Sequence, residues 1–246
     1  MNNRNIDVVF VAYGCVPLKR VEDHLRWNRQ FYDNERVVVH IVTDHAGWLG
    51  QKIGAGSVRT VWMPESELPT LNGNRVFSLT KTKNFGIDTA LSDGADVVIC
   101  TDVDVAFTDT AWEIMCGVQP GEAVFPVYHM CRDFDQRQSE PSRVDEGMTG
   151  TTAMVADDWL RVRYDERCVG YGADDGLLMR DVFKADIQII PPSRSFPIAP
   201  VVWHVDHTNA AQENTPGSGR PDCWGRAEGF NPDNFEANQK LLRKNK

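Results

Sequence analysis

The sequence predicts an α/β protein with a Rossmann-like fold, in which a mostly parallel central sheet has helices on both faces. Three observations support this class. Apolar, β-rich runs at 6–13 and 36–43 flank a helical segment at 20–32, which is how a parallel βαβ unit begins. A further run at 96–107 is apolar on both faces, as expected for a strand inside a parallel sheet. The chain of 246 residues is long enough to form one large domain of this kind.

The remaining elements are predicted from hydrophobic periodicity and from turn residues. We expect further strands at 57–63, 122–128, 148–156, 186–191 and 201–208. We expect helices at 78–91 and 111–115, and two more that begin near 157 and 174. The segment 129–146 is polar and without periodicity, so a long surface loop is expected there. The segment 211–246 is rich in Gly, Pro and Asn and then basic, which predicts a tail that lies over the surface or becomes ordered on binding.

Composition limits the partners that the protein can have. The formal net charge is -9 and the sequence pI is about 5.1, which argues against broad contact with a nucleic-acid backbone. No apolar run has the length of a membrane span, and the N-terminus leads into a strand without the pattern of a signal peptide. The six cysteines are scattered and form no Cys-x-x-Cys pair. We therefore expect reduced thiols and an intracellular, cytoplasmic protein.

Two carboxylates stand one residue apart near the end of the run at 96–107. Because side chains alternate along a strand, Asp102 and Asp104 are expected to point to the same side. Desolvating an unpaired carboxylate is costly, so the pair should lie where the strand emerges at a ligand crevice. Two oxygen ligands at such an edge suit a hard divalent cation that also binds phosphate. The alternative is that both are ordinary turn residues at a strand end.

Other charged residues are candidates for a binding or catalytic site. Lys81 and Lys83 lie in the first turns of the helix at 78–91, where the helix dipole prefers anions; a bound phosphate or simple solvation would explain them. Asp44 follows a predicted strand and is either a ligand contact or a turn cap. Asp174 and Asp175 follow a glycine-rich loop and open a helix. One of them satisfies the N-cap, which leaves the other as a candidate general base.

Two histidines follow the last predicted strand. His204 and His207 flank Asp206, and this cluster of side chains can bind a metal ion. A structural role for the histidines is the alternative.

Three motifs occur in register between residues 75 and 208. Asn-Phe-Gly-Ile at 84–87, followed by a strand that ends in Thr-Asp-Val-Asp at 101–104, resembles the arrangement in inverting family-two-like glycosyltransferases. Gly-Tyr-Gly-Ala-Asp-Asp at 170–175 resembles the Gly-Trp-Gly-Gly-Glu-Asp signature of β-1,4-galactosyltransferases and polypeptide N-acetylgalactosaminyltransferases. The segment 189–194, followed by Trp203-His204, resembles the one that delivers their metal-binding histidine. Together the motifs resemble a nucleotide-sugar glycosyltransferase of the type-A fold.

This resemblance implies a domain plan, a reaction and a set of partners. It implies one catalytic domain over 1–210, with a nucleotide-binding half at 1–110 and an acceptor-binding half at 111–210. The enzyme would be a hexosyltransferase-like glycosyltransferase that uses Mn²⁺ or Mg²⁺ and a UDP-sugar donor. Its acceptor would be a hydroxyl of a saccharide, a protein or a nucleotide, and it would resemble a bacterial or viral intracellular enzyme.

The resemblance also implies roles for individual residues. Asp104 and His204 would bind the metal, with His207 as a rival ligand, and Asp102 would bind the donor ribose or a metal-held water. Lys81 or Lys83 would contact the diphosphate. The base and ribose would be surrounded by Tyr13, Asp44 and Phe77. In an inverting reaction Asp175 would be the base on the acceptor hydroxyl, and Asp174 would hold the acceptor.

The sequence departs from the family pattern in the predicted acceptor pocket. Tyr171 stands where the signature has Trp, Ala173 where it has Gly, and Gly176 where it has an acid. The acceptor of the family therefore does not carry over. Two other functions are compatible with the residues. Asp102-Val103-Asp104-Val105 also resembles the nucleophile motif of haloacid-dehalogenase-like phosphatases, and a non-catalytic nucleotide-sugar-binding protein could have the same pocket.

Overall fold

The computed structural model of the protein describes residues 4–12, 16, 18–43, 58–71, 74–75, 78–131, 135, 143–145, 150–168, 174–190, 200–205, 240 and 243. The elements in chain order are β1 (Ile6–Val11), α1 (Leu18–Trp27), α2 (Arg29–Tyr32), β2 (Val37–Thr43), β3 (Val58–Trp62), a 3-10 turn (Glu65–Glu67), β4 (Thr70–Leu71), β5 (Asn74–Arg75), α3 (Leu79–Ser92), β6 (Val97–Thr101), β7 (Val105–Phe107), α4 (Asp109–Cys116), β8 (Glu122–Val124), β9 (Val127–Cys131), β10 (Arg143–Asp145), β11 (Thr152–Val155), α5 (Ala156–Arg161), α6 (Asp174–Lys184), β12 (Gln188–Ile190) and β13 (Val201–Val205).

A seven-stranded sheet forms the centre of the protein, with strand order β12-β8-β11-β6-β1-β2-β3. Neighbouring strands are parallel except β11, which runs antiparallel to both β6 and β8. The predicted α/β class with a mostly parallel sheet is confirmed. The chain proceeds from β1 through β2 to β3 on one side and places β6 on the other. The carboxyl ends of β1 and β6 therefore border a topological switch point, where α/β sheets bind ligands.

Helices cover both faces of this sheet, as the sequence predicted. On one face, Val8 and Phe10 of β1 pack in a buried cluster with residues of α1, α2 and α4. On the other face, Val9 belongs to a second buried cluster with residues of α3, α5 and α6. The helix α3 approaches the sheet closely because it carries a glycine there. A Cβ atom at Gly86 would lie 2.5 Å from a methyl group of Val9 and 2.5 Å from one of Val42.

A second, four-stranded sheet has the order β10-β9-β13-β7. Its presence corrects three predictions. The run at 96–107 is two strands rather than one, since the chain turns after β6 and enters the second sheet as β7. The expected strand at 122–128 is divided in the same way between β8 and β9. Parts of the expected loop at 129–146 are strands, because β9 continues to Cys131 and pairs antiparallel with β10.

In the described part of the chain, no helix combines the length and the apolar character needed to cross a membrane.

Candidate functional site

The residues after β6 form a turn at the switch point. The strand ends at Thr101, and the backbone N–H of Val105 donates to the carbonyl of Asp102 at 3.3 Å. Val103 points into the core on the α1 face and anchors the turn. Because the strand stops at Thr101, side-chain alternation does not extend over the two carboxylates. The expectation that they point to the same side is therefore wrong: Asp102 contacts α3 and Asp104 contacts α1, on opposite faces of the sheet.

Asp104 is buried and lies against a histidine and an arginine. Its Oδ1 is 3.3 Å from Nε2 of His204, and its Oδ2 is 3.9 Å from Nη1 of Arg20. The pairing of β13 with β7 aligns His204 with Val105, and the N–H of Val205 donates to the Asp104 carbonyl at 3.0 Å. The ring of Tyr128 stacks on the imidazole with 4.9 Å between centroids. The second sheet therefore positions the histidine beside the carboxylate.

This pair fits a shared metal ion in its spacing and its donor chemistry. Two atoms that bind one ion at about 2.1 Å and at right angles lie ~3.0 Å apart, close to the observed separation. One carboxylate oxygen and one imidazole nitrogen form a mixed donor set that suits Mn²⁺ better than Ca²⁺. Among the described residues, no group of three or more His, Cys, Asp or Glu side chains could hold a metal. A metal held by Asp104 and His204 would therefore need further ligands from beyond the described residues, such as phosphate or water.

A second group of charges lies on the α3 face, around a buried lysine. Nζ of Lys83 is 3.4 Å from Asp102, 3.5 Å from Asp174 and 3.7 Å from Asp175. The ammonium also lies 4.9 Å from the centre of the Tyr164 ring, which is a cation–π contact. Burial alone would lower the pKa of Lys83, but the surrounding carboxylates and Tyr164 raise it well above its ordinary value. The lysine is therefore charged, and it neutralises part of the negative charge of the three carboxylates.

The two adjacent aspartates lie in the first turn of α6, as the sequence predicted. The side chain of Asp174 is 6% exposed and that of Asp175 is 17% exposed, so Asp175 is the more accessible of the two. Burial raises the pKa of Asp175 well above its ordinary value, the negative charge of Asp174 raises it further, and Lys83 opposes the rise. A carboxylate with a raised pKa is a stronger base once ionised. Asp175 can therefore accept a proton from a bound hydroxyl.

Small and polar residues on β11 and before it support both groups. Gly150 lies directly against Asp102, since a Cβ atom there would overlap the carboxylate at 1.7 Å from Oδ2. The Thr151 hydroxyl is 2.8 Å from the Thr101 hydroxyl and 3.0 Å from the hydroxyl of Tyr128. These contacts connect the end of β6 to β9, whose Tyr128 ring stacks on the imidazole of His204. The sequence signal was the run of small residues at 148–156, which we predicted only as a strand.

The predicted site residues thus fall into two groups and a remainder. The structure brings Asp104 to His204, and it brings Asp102, Asp174 and Asp175 to Lys83. Lys81 lies half-buried on α3, and its backbone N–H donates to the N-cap hydroxyl of Ser78. Four predicted residues lie outside the described residues, namely Tyr13, Asp44, Phe77 and His207. Sequence reasoning missed the neighbours that complete the groups, which are Arg20, Tyr128, Gly150 and Tyr164.

A cleft of about 640 Å³ opens elsewhere, between α1 and the end of β7. Its wall includes Arg26, Trp27, Phe107 and Trp203, and it contains no predicted site residue. The two charged groups described above therefore lie at the switch-point edge and not in this cleft.

Comparison with known proteins finds no protein-family model that matches the sequence and no curated protein with significant similarity to it.

Proposed function

We propose that the protein is a metal-dependent glycosyltransferase that moves a sugar from a UDP-sugar to a hydroxyl of an acceptor. The observation that carries this proposal is the placement of Asp104 and His204, 3.3 Å apart, directly beyond β6. A carboxylate and an imidazole at a switch point can hold a divalent cation and leave positions open for a diphosphate. The general base candidate Asp175 lies at the same edge of the sheet.

The strand order supports the finer assignment to a type-A glycosyltransferase fold. The large sheet is mostly parallel with β11 antiparallel next to β6, and the chain enters the second, small sheet as β7 beyond the Asp-x-Asp turn. In this proposal the small sheet has a function, because β13 supplies His204. The three sequence motifs support the same assignment, since they contribute the turn, the base and the histidine.

Each charged group has a task in the proposed reaction. A bound Mn²⁺ or Mg²⁺, held by Asp104 and His204, would neutralise charge on the UDP leaving group. Asp175 accepts the proton of the acceptor hydroxyl while the oxygen of that hydroxyl bonds to the anomeric carbon. The bond between the anomeric carbon and the phosphate oxygen breaks, and UDP leaves. Because the base would lie on the face opposite the leaving group, the proposal includes inversion at the anomeric carbon.

Hydrolysis of the donor tests the proposal without knowledge of the acceptor. UDP release is measured for a panel of UDP-sugars with Mn²⁺ and again with EDTA, and water replaces the acceptor. We expect slow release from one donor, which is lost with EDTA and in Asp104→Ala. The matched control is Asp109→Asn, because Asp109 is exposed on α4 and outside both charged groups.

Two outcomes would replace the proposal. Release of phosphate from phosphomonoesters, without dependence on a nucleotide sugar, would identify a phosphatase. Binding of UDP-sugars without turnover, unchanged in Asp175→Asn, would identify a binding protein.

A further inference from the structure

Lys83 is buried, whereas a lysine that binds a phosphate would need to be accessible. Its side chain is 1% exposed, although it lies on the second turn of α3 at the edge of the site. Its ammonium is surrounded by the carboxylates of Asp102, Asp174 and Asp175 at 3.4 to 3.7 Å. A diphosphate that reached this ammonium would also meet three negative charges. The surroundings of Lys83 therefore suit an internal counter-ion better than a ligand contact.

The lysine joins α3 and the turn after β6 to the start of α6, which is far from both in the sequence. Asp102 follows β6 and Asp174 begins α6, whereas Lys83 belongs to α3. Other contacts fix α3 against the segment that precedes α6. The amide of Asn84 donates to the carbonyl of Tyr164 at 2.9 Å and accepts from its backbone N–H at 3.1 Å. These hydrogen bonds hold α3, which carries the ammonium, opposite the start of α6.

The metal-binding pair lies on the other side of the turn. Asp104 contacts α1 and His204. Among the described ion pairs, Lys83 has none with Asp104. Loss of the lysine charge would leave Asp102, Asp174 and Asp175 as like charges in a mostly buried space, with no other cation among their described ion pairs. Repulsion would then move the start of α6, which carries the proposed base, away from β6.

We propose that Lys83 is a positioning residue, which holds Asp174 and Asp175 beside the end of β6 so that Asp175 faces the reacting hydroxyl. It does not contact the diphosphate. This inference rests on the proposed function, because it assigns the ammonium to the acceptor side of that site. For Lys83, it replaces the expectation from the family resemblance that Lys81 or Lys83 contacts the diphosphate.

The first test separates binding from turnover in Lys83→Met, which keeps the length of the side chain and removes its charge. We expect the Kd for UDP with Mn²⁺ to stay within about twofold of wild type, since Asp104 and His204 are unchanged. We expect kcat for donor hydrolysis to fall about 100-fold, with little change in the KM of the donor, because the base is misplaced. Lys184→Met is the matched control, because Lys184 is exposed in the last turn of α6.

A second variant separates positioning from a general loss of structure. Lys83→Met combined with Asp174→Asn removes one of the repelling charges. We expect kcat for donor hydrolysis to be about tenfold higher in this double variant than in Lys83→Met alone, because the two sites are coupled. A purely structural role of Lys83 would give losses that add. An additive result, an unchanged kcat in Lys83→Met, or a parallel loss of UDP binding would each overturn the inference.

A measurement on the wild-type protein does not depend on the folding of the variants. The NMR signal of the Lys83 ammonium is identified by its proximity to the Tyr164 ring, 4.9 Å away. We expect its chemical shift to remain the same when Mg²⁺ and UDP are added, and a large change would show a diphosphate contact and refute the inference. If the wild-type protein does not bind UDP with any metal, the proposed function itself fails, whatever the variants do.

Discussion

Acidification should destabilise the protein through His24, a buried histidine near Asp104. His24 lies on α1, fully buried, with Nε2 2.8 Å from the hydroxyl of Tyr32 and its ring 4.4 Å from that of Phe10. Burial lowers the pKa of His24 from 6.5 to about 4, although the nearby charge of Asp104 opposes this. The imidazole must therefore be neutral in the folded protein at neutral pH.

The sign and the size of the effect follow from this pKa. In the unfolded chain His24 binds a proton near pH 6.5, whereas in the folded protein it does so only near pH 4. Between these values the unfolded state binds more protons, so the free energy of unfolding falls as the pH falls. The gap between the two pKa values corresponds to about 3 kcal/mol.

Urea unfolding at pH values near 7 and near 4 measures this effect. The informative variant is His24→Phe combined with Tyr32→Phe, which removes the titrating group and both partners of the hydrogen bond. We expect the wild-type protein to lose about 3 kcal/mol more stability over this range than the double variant does. Tyr32→Phe alone is the control, because it keeps the histidine and should keep the wild-type pH dependence. Equal pH dependence in wild type and double variant would refute the reasoning.

Three further substitutions test the packing and the charges around the site. Asp175→Asn should raise the Tm at pH 8 but not near pH 4, because the raised pKa of Asp175 makes its ionised form unfavourable above the ordinary Asp value; a Tm gain that does not depend on pH would contradict this. Gly86→Ala should cost about 1–3 kcal/mol in urea unfolding, since the new methyl group would overlap valine side chains of β1 and β2; an unchanged midpoint would contradict the close packing of α3. Gly150→Ala should displace the Asp102 carboxylate and lower the rate of donor hydrolysis, whereas UDP should still bind with Mn²⁺. Loss of UDP binding would contradict the assignment of Asp102 to the charged group around Lys83.

The sequence predicted the elements whose signals are local. The strands β1 and β2 are apolar runs and the helix α3 has apolar residues at helical spacing, and each begins and ends within about two residues of its predicted bounds. The division of 96–107 could not be predicted in this way, because both halves are apolar and buried. What separates them is the pairing of β7 with β13, a contact between residues about 100 positions apart.

The candidate site shows the same limit. The resemblance to known transferases suggested Asp104 and His204 as a pair, and the structure places them side by side. The position of Lys83 on the helix was predicted correctly, but its partners were not, because they come from the turn after β6 and from the start of α6. Arg20 beside Asp104 was missed for the same reason, since a helix pattern does not indicate which distant carboxylate a charged residue meets.

Metal-dependent UDP binding tests the central claim most directly. Calorimetry of UDP binding, with Mn²⁺ and with EDTA, is carried out on the wild-type protein, Asp104→Ala, His204→Ala and His129→Ala. His129 is the matched control, because it lies on the neighbouring strand β9 and packs on Trp203 instead of facing Asp104. We predict that the wild type and His129→Ala bind UDP only with Mn²⁺, and that Asp104→Ala and His204→Ala bind at least about tenfold more weakly. Equal UDP binding with EDTA, or in Asp104→Ala, would contradict a metal–diphosphate site at the end of β6.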